Sequence, residues 1–460
     1  MKATRIVILA AGQGKRMYSE LPKVLHPLAG KPLLEHVLQT ALSLSSEPPL
    51  VIYGHAGERV RAALAHYPAT WLPQDKQLGT GHALLQALPQ VRDDEQVLAL
   101  YGDVPLISPE TLQRLMRETP AEAIGLITAT LANPQGYGRI VRDEQGAVTA
   151  IVEEKDADEK TRRICEINPG IYYAPAASLK KWLPTLSPRN AQGEYYVTDI
   201  VSLALKEKRH IHTLQPAFTE EILGVNDRVQ LNQLERFYQE RYAQKLLCQG
   251  VTLYDPRRFD VRGELIVAAD VIIDVNVVIE GRVVLGKGCV IGPNVYLRNA
   301  QIGERVEIRA NSVIDGAEVA ADCIIGPFAR LRPGTVLAPK VHIGNFVEIK
   351  NSFIDQDSKV NHLSYLGDAE VGKRVNVGAG TITANYNGVD KNKTWIGDDA
   401  SIGSGTELIA PVTVGEGATI GAGSTITKNA PPQRLTLARA KQLTVEAWRR
   451  PEKKKQKERI

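Results

Sequence analysis

Two patterns of hydrophobic and polar positions divide this chain. Up to about residue 226, short apolar runs at 6–10, 50–53 and 97–101 alternate with stretches of helical spacing such as 33–42 and 111–118. Short apolar runs bounded by turn residues read as buried strands. Their alternation with helices predicts an α/β fold with a largely parallel sheet. From residue 227 to 249 the chain becomes polar and rich in Gln, Glu, Arg and Leu, which predicts one connecting helix.

Beyond Gly250 aliphatic residues recur every six positions: Ile273, Ile279, Leu285, Ile291 and Leu297. After one-residue slips the series resumes as Ile302, Ile308 and Ile314, then as Val319, Ile325, Leu331, Leu337, Ile343 and Ile349. A last block reads Ile396, Ile402, Leu408, Val414, Ile420 and Ile426. A period of six suits neither a helix nor an amphipathic strand. It suits a parallel β-helix in which each hexad makes one flat side and one corner. Residues 383–394 lack the period and are expected to loop out. The breaks place domains at 1–228 and 250–460, with a linker helix over 229–249.

Composition sharpens this picture in three ways. Only 5% of residues are aromatic while Gly numbers 38, as tightly repeated backbone requires. The net charge of +4 is concentrated in residues 449–460, where seven Lys or Arg face two Glu; the rest is near neutral, so a nucleic-acid-binding surface is not expected. Cys165, Cys248, Cys289 and Cys323 form no CxxC pair, so neither a disulfide framework nor a zinc site is implied and a reducing, cytoplasmic setting fits. The apolar start is too short for a signal peptide, and no stretch is long enough to span a bilayer, so no membrane partner is expected.

Candidate chemistry begins after the first strand, in Leu9-Ala10-Ala11-Gly12-Gln13-Gly14-Lys15-Arg16, with Lys23 soon after. A Gly-rich turn there exposes backbone N–H groups to an anion, and a following helix would add its dipole. The stretch fits neither a dinucleotide fingerprint nor a Walker loop. It reads either as a phosphate cradle served by three cations or as a simple turn. Tyr101-Gly102-Asp103 ends an apolar strand, where open parallel sheets bind ligands. Asp103 lacks an obvious local cation partner and is read as a Mg²⁺ ligand or, alternatively, as a helix cap.

With Gln74, the Leu78-Gly79-Thr80-Gly81-His82 stretch, Gly138, Glu153, Asn168 and Gly224-Val225-Asn226, these elements resemble the sugar-phosphate nucleotidyltransferases. Specifically, they resemble the N-acetylglucosamine-1-phosphate uridyltransferase half of a bifunctional bacterial enzyme, over nearly all of residues 3–450. The resemblance implies a Rossmann-like nucleotidyltransferase domain, a helical linker and a left-handed parallel β-helix. It implies that Leu9, Ala10, Ala11, Gly12, Tyr101 and Gly102 line the nucleotide site, with Gln74 and Gly79 facing uracil. Thr80, Gly138, Glu153 and Asn168 would face the sugar, Arg16 and Lys23 would hold phosphates, and Asp103 and Asn226 would ligate Mg²⁺. Pro169 departs from the hydroxyl residue expected there and removes an N–H donor.

In the repeat region His362 is the candidate proton acceptor, since acetyl transfer from a thioester requires the attacking ammonium to lose a proton. Its alternative reading is a corner residue of the solenoid. By resemblance to the hexapeptide-repeat acyltransferases, His362 is the base, with Glu348 assisting, and the working unit is a homotrimer. Arg332, Lys350, Tyr365 and Asn376 would then hold glucosamine-1-phosphate. Ala379, Asn385, Tyr386, Ser404, Ala422 and Arg439 would line the acetyl-CoA site, with the basic tail near the coenzyme's phosphates. The expected product of acetyl-CoA, UTP and the sugar phosphates is UDP-N-acetylglucosamine. Two rivals are a β-helix that only regulates or trimerises, and a non-enzymatic scaffold like some initiation-factor subunits.

Overall fold

The computed structural model describes residues 3–451 apart from Gln13 and His55. The chain forms two compact units, residues 1–245 with 260–263, and residues 246–259 with 264–460.

The first unit is built on a seven-stranded sheet. Its order runs Ile211–Leu214, Ile124–Ile127, Tyr172–Pro175, Gln96–Tyr101, Thr4–Ala10, Leu50–Tyr53, Thr70–Pro73. Tyr172–Pro175 runs antiparallel to both neighbours; the other pairs are parallel. Burial on both faces explains the nearly continuous apolar strands. Val7, Leu50 and Ile52 pack on one side, and Ile6, Ile8 and Val51 on the other. Parallel register brings the carboxyl ends of four strands level: Ala10 pairs with Tyr53, Tyr53 with Pro73, and Leu9 with Tyr101. A four-stranded antiparallel sheet carries Gly138–Arg142, Val148–Val152 and Glu166–Asn168 beside them. The polar helix spans Arg228–Cys248 and belongs mostly to this unit. Its Leu234 is buried with Met17, Leu28 and Leu33.

In the second unit all the aliphatic residues of the hexad series are at most 4% exposed. They stack in three columns, one per face. One column links Ile291, Ile308, Ile325, Ile343, Val360 and Val377, then Ile402 and Ile420. A second links Leu297, Ile314, Leu331, Ile349 and Leu366, and the third Leu285, Ile302, Val319, Leu337, Ile354 and Val371. The ladder thus continues through residues 354–377, where the six-residue count had been broken by slips.

The loop is shorter than the sequence pattern indicates. Thr383 and Thr394 lie in strands, and only 385–393 leaves the coil. Thr383 pairs with Leu408 and fills an aliphatic slot. Its hydroxyl makes this possible: Oγ1 accepts the Gly367 N–H at 2.8 Å and donates to the Gly367 carbonyl at 3.0 Å. Thr383→Val preserves shape but leaves both Gly367 groups without that partner. It should destabilise the second unit by about 1–3 kcal/mol, whereas Thr383→Ser should cost less. Denaturant melts followed by circular dichroism check this order.

Candidate functional sites

In the first unit the chain leaves Ala10 into a turn at Gly12 and Gly14. Gly14 has φ +64°, and a Cβ there would stand 2.6 Å from Lys23 Cβ. The side chain is absent so that Lys23 can cross the turn. Gln13 lies outside the described residues. The element that follows is a three-residue 3₁₀ turn, Lys15–Met17, and the first long helix begins only at Leu33. The expected helix dipole is therefore missing from this turn, and backbone N–H groups and cations must serve any anion.

Asp103 follows the Gln96–Tyr101 strand and has a cation partner after all. Lys23 Nζ pairs with Asp103 Oδ2 and lies 3.5 Å from Asn226 Oδ1. Asp103 caps no helix; the helix at Pro109–Glu118 is capped by Ser108, which accepts from the Thr111 N–H at 3.2 Å. Two hard oxygen donors thus already accept one positive charge between them, which suits a divalent ion that takes its other ligands from phosphates and water. Among the described residues no group of three or more His, Cys, Asp or Glu could hold a metal unaided.

A cavity of about 860 Å³ gathers most of the sequence candidates. Leu9, Ala10, Ala11, Gly12, Arg16, Lys23, Gln74, Gly79, Thr80, Tyr101, Asp103 and Asn226 line it. Gly102 lies behind that wall, where a Cβ would meet Ala10 and Leu34. Gly138 begins a strand of the antiparallel sheet and Glu153 follows the neighbouring strand Val148–Val152, so that a Cβ on Gly138 would be 3.5 Å from Glu153 Oε1. Asn168 is buried and occupied: it donates to Tyr172 Oη at 2.6 Å and accepts the Gly170 N–H at 3.1 Å. Lys155 and Gln192, joined at 2.6 Å, also line the cavity, and no motif in the sequence marks them. Burial pushes the Tyr101 hydroxyl far above its ordinary pKa, so it is a neutral wall.

In the second unit His362 ends the Lys359–His362 strand, in register with Asn345 one coil below. Nδ1 of His362 lies 2.9 Å from Asn345 Oδ1, an acceptor. Nδ1 therefore carries the proton and Nε2 presents a free lone pair. The group touching His362 is Asn345, whereas Glu348 is ion-paired with Arg332 at 2.8 Å. Tyr365 stands level with Glu348. Asn376 lies on the face of His362, but level with Lys359 at the far end of the strand.

Lys350 faces Lys391 of the 385–393 loop, and that second ammonium, with Arg332 nearby, holds Lys350 below the usual lysine range. Asp368 offsets only part of this repulsion between like charges, which leaves a place suited to an anion. Asn385 is buried and donates to Asp368, which also accepts from Asn351 at 2.5 Å. Tyr386 is 62% exposed and closes the loop by donating to the Gly388 carbonyl at 2.6 Å.

One corner of the coil changes character at His362. The preceding coils carry Phe328, Phe346 and then Leu363 there, all at positive φ, and the rings of the two phenylalanines stack at 5.3 Å. The following coils carry Gly380, Gly405 and Gly423. Their N–H groups donate to the carbonyls of His362, Ala379 and Ser404 respectively, and Arg439 donates to that of Ala422 at 2.9 Å. Ala379, Ser404 and Ala422 are thus successive members of one column of small residues running from His362 to Arg439.

Three family models match separate stretches of the chain. A model of the MobA-like NTP transferase domain matches residues 6–189, one of the GMPPB C-terminal domain residues 261–361, and one of the bacterial transferase hexapeptide (six repeats) residues 393–428. The chain is 56% identical to the "Bifunctional protein GlmU" of Methylococcus capsulatus, over 97% of each chain. Against the protein of that name from Aromatoleum aromaticum it is 54% identical, over 98% of this chain and 99% of the relative. The Azoarcus relative is 55% identical over 98% of this chain and all of its own. The chain belongs to the bifunctional GlmU family. Membership in the GlmU family accounts for two sites of unlike chemistry in one chain.

One carboxyl group beside Gly138, that of Glu153, is kept at a cost to stability. Burial is the main cause that raises the Glu153 pKa, with Asp156, Asp199 and Glu194 adding repulsion and Thr198 opposing at 3.2 Å. A raised folded pKa gives stability that is present below the unfolded value, about 4.3, and lost as pH rises through the folded value. Glu153→Gln should therefore raise the melting temperature of the first unit near pH 7–8, with the gain shrinking toward pH 4. Thermal melts across that range test the sign.

Proposed function

We infer that this chain makes UDP-N-acetylglucosamine in two steps, one on each unit. The second unit acetylates the amine of glucosamine-1-phosphate with acetyl-CoA. The first transfers UMP from UTP to N-acetylglucosamine-1-phosphate and releases pyrophosphate. The observation that carries the reading is the presence, in one GlmU-family chain, of both the Lys23–Asp103–Asn226 cavity and the His362 corner.

In uridylyl transfer the sugar phosphate oxygen attacks the α-phosphorus of UTP in line, and no protein nucleophile is required. The Gly12–Gly14 turn, Lys15, Arg16 and Lys23 orient and neutralise the phosphates, while Gln74 and Gly79 face uracil. Gly138, Glu153 and Asn168 serve the sugar side. Asp103 and Asn226 would hold Mg²⁺, which when bound spreads the charge developing on the phosphates. In acetyl transfer His362 Nε2 takes the ammonium proton, Asn345 keeps the ring in the right tautomer, and the free amine attacks the thioester carbon. The C–S bond then breaks and CoA leaves as its thiol with the proton the amine nitrogen gives up. Arg332, Lys350 and the adjacent Lys391 grip the sugar phosphate; Tyr365 and Asn376 complete the sugar site. Asn385, Tyr386, Ala379, Ser404, Ala422 and Arg439 line the path of acetyl-CoA, because a corner free of side chains admits a narrow pantetheine arm.

The working form is a homotrimer through the β-helix. Phe328, Phe346 and Leu363 are 49%, 55% and 63% exposed at strained corner positions, and Asn376 stands apart from His362 within one chain; both features favour a site completed by a second copy. The same reading puts the enzyme in the cytoplasm, where its free cysteines stay reduced. Among the described residues no helix is long and apolar enough to cross a membrane. The basic residues 452–460 lie outside the described residues.

Two substitutions separate the activities. Asp103→Ala should abolish uridylyl transfer and leave acetyl transfer within about twofold of the parent, since the altered side chain lies in the other site's unit. His362→Ala should lower acetyl transfer by about 10²–10⁴-fold with uridylyl transfer unchanged. Coupled assays of CoA release and pyrophosphate release measure both, and parallel loss of the two activities in either variant contradicts the reading.

A further inference from the structure

We propose that His82 is a positioning residue for base selection: it locks the Gln74 amide so that the site accepts a base with a ring N–H donor, making the chain selective for UTP over CTP. The proposal rests on the reading of the 860 Å³ cavity as the UTP site.

Gln74 follows the Thr70–Pro73 strand at the rim of that cavity and is only 5% exposed. Its Nε2 lies 3.2 Å from the Gly79 carbonyl oxygen and 2.9 Å from His82 Nδ1. A carbonyl oxygen only accepts, so the end of the amide facing Gly79 is the nitrogen. Nε2 then donates its second hydrogen to Nδ1, which fixes His82 as the neutral tautomer with its proton on Nε2. Both amide hydrogens are spent. Oε1 accepts no hydrogen bond among the described residues and is the polar end left for a ligand. Turning the amide over would set Oε1 against the Gly79 carbonyl and would require His82 to move its proton to Nδ1.

The ring itself is anchored. His82 sits in the first turn of the Thr80–Ala87 helix. That turn is tied down where the Gly81 N–H donates to Tyr195 O at 2.7 Å and the Val197 N–H donates to Thr80 Oγ1 at 3.1 Å. The remaining ring nitrogen lies 3.4 Å from Gln86 Nε2, itself a donor that bonds the His82 carbonyl at 3.2 Å. The shorter 2.9 Å contact to Gln74 decides the tautomer, and the 3.4 Å approach is not a hydrogen bond. Uracil carries an N–H at ring position 3, which can donate to Oε1. Cytosine carries a lone pair there, which Oε1 repels. An amide free to turn would serve either base, so selection depends on what prevents turning.

The test compares kcat/KM for UTP and for CTP in the full-length chain and in three variants. His82→Asn keeps a side-chain acceptor near the position of Nδ1. His82→Gln places its polar group near Nε2 instead, and His82→Leu removes both. The Leu and Gln variants should lower the UTP:CTP ratio by about tenfold or more, chiefly through the KM for UTP, and the Asn variant should restore it. Acetyl transfer by the same samples reports folding. Retention of the parent ratio in the Leu or Gln variant overturns the proposal. So does an equal fall for both nucleotides, or an Asn variant no better than Gln. If the Leu variant does not fold, the Asn and Gln pair decides. A parent chain that uses CTP as readily as UTP sinks the reading of the cavity itself.

Discussion

Parallel strands held in register place equivalent points of successive strands side by side, and both halves of this molecule are organised by that constraint. In the first unit it levels the carboxyl ends at Ala10, Tyr53, Pro73 and Tyr101, so the turns that leave them converge on one cavity. In the second it levels the corners of successive coils, so Ala379, Ser404 and Ala422 become neighbours although they are 18 to 25 residues apart. The aliphatic columns inside enforce the alignment, because a slipped coil would bury a polar residue and expose an aliphatic one.

Both sites depart from what stability alone would select. Glu153 is a carboxyl group kept among other carboxylates in a partly buried place. Lys350 and Lys391 are like charges held face to face. Phe328, Phe346 and Leu363 adopt a backbone conformation that bulky side chains disfavour. A bound sugar phosphate would relieve the lysine pair, and a second chain would cover the corner ridge. Each cost therefore coincides with a proposed ligand or partner, as strain at functional sites generally does.

Much of this architecture was legible because it rests on repetition. Six-residue spacing identified columns whose members are all buried, and short apolar runs located the central strands. What stayed hidden depends on contacts between distant residues. The Lys23–Asp103 pair spans 80 positions, so Asp103 looked as if it lacked a partner. Thr383 is a polar letter in an apolar slot, and only the Gly367 backbone explains it. Asn345 and Lys391 belong to no motif; the first meets His362 through coil register, and the second meets Lys350 through the loop. The candidate sets themselves came from family resemblance, while the spacing alone left His362 open to a purely structural role.

The central claim is that one chain carries two independent active sites whose reactions are consecutive. It is tested most directly by mixing the Asp103→Ala and His362→Ala proteins with glucosamine-1-phosphate, acetyl-CoA, UTP and Mg²⁺ and measuring UDP-N-acetylglucosamine. Neither protein alone should form appreciable product, whereas the mixture should, because N-acetylglucosamine-1-phosphate released by one is taken up by the other. A mixture as inactive as its components, with both proteins folded, would contradict the account.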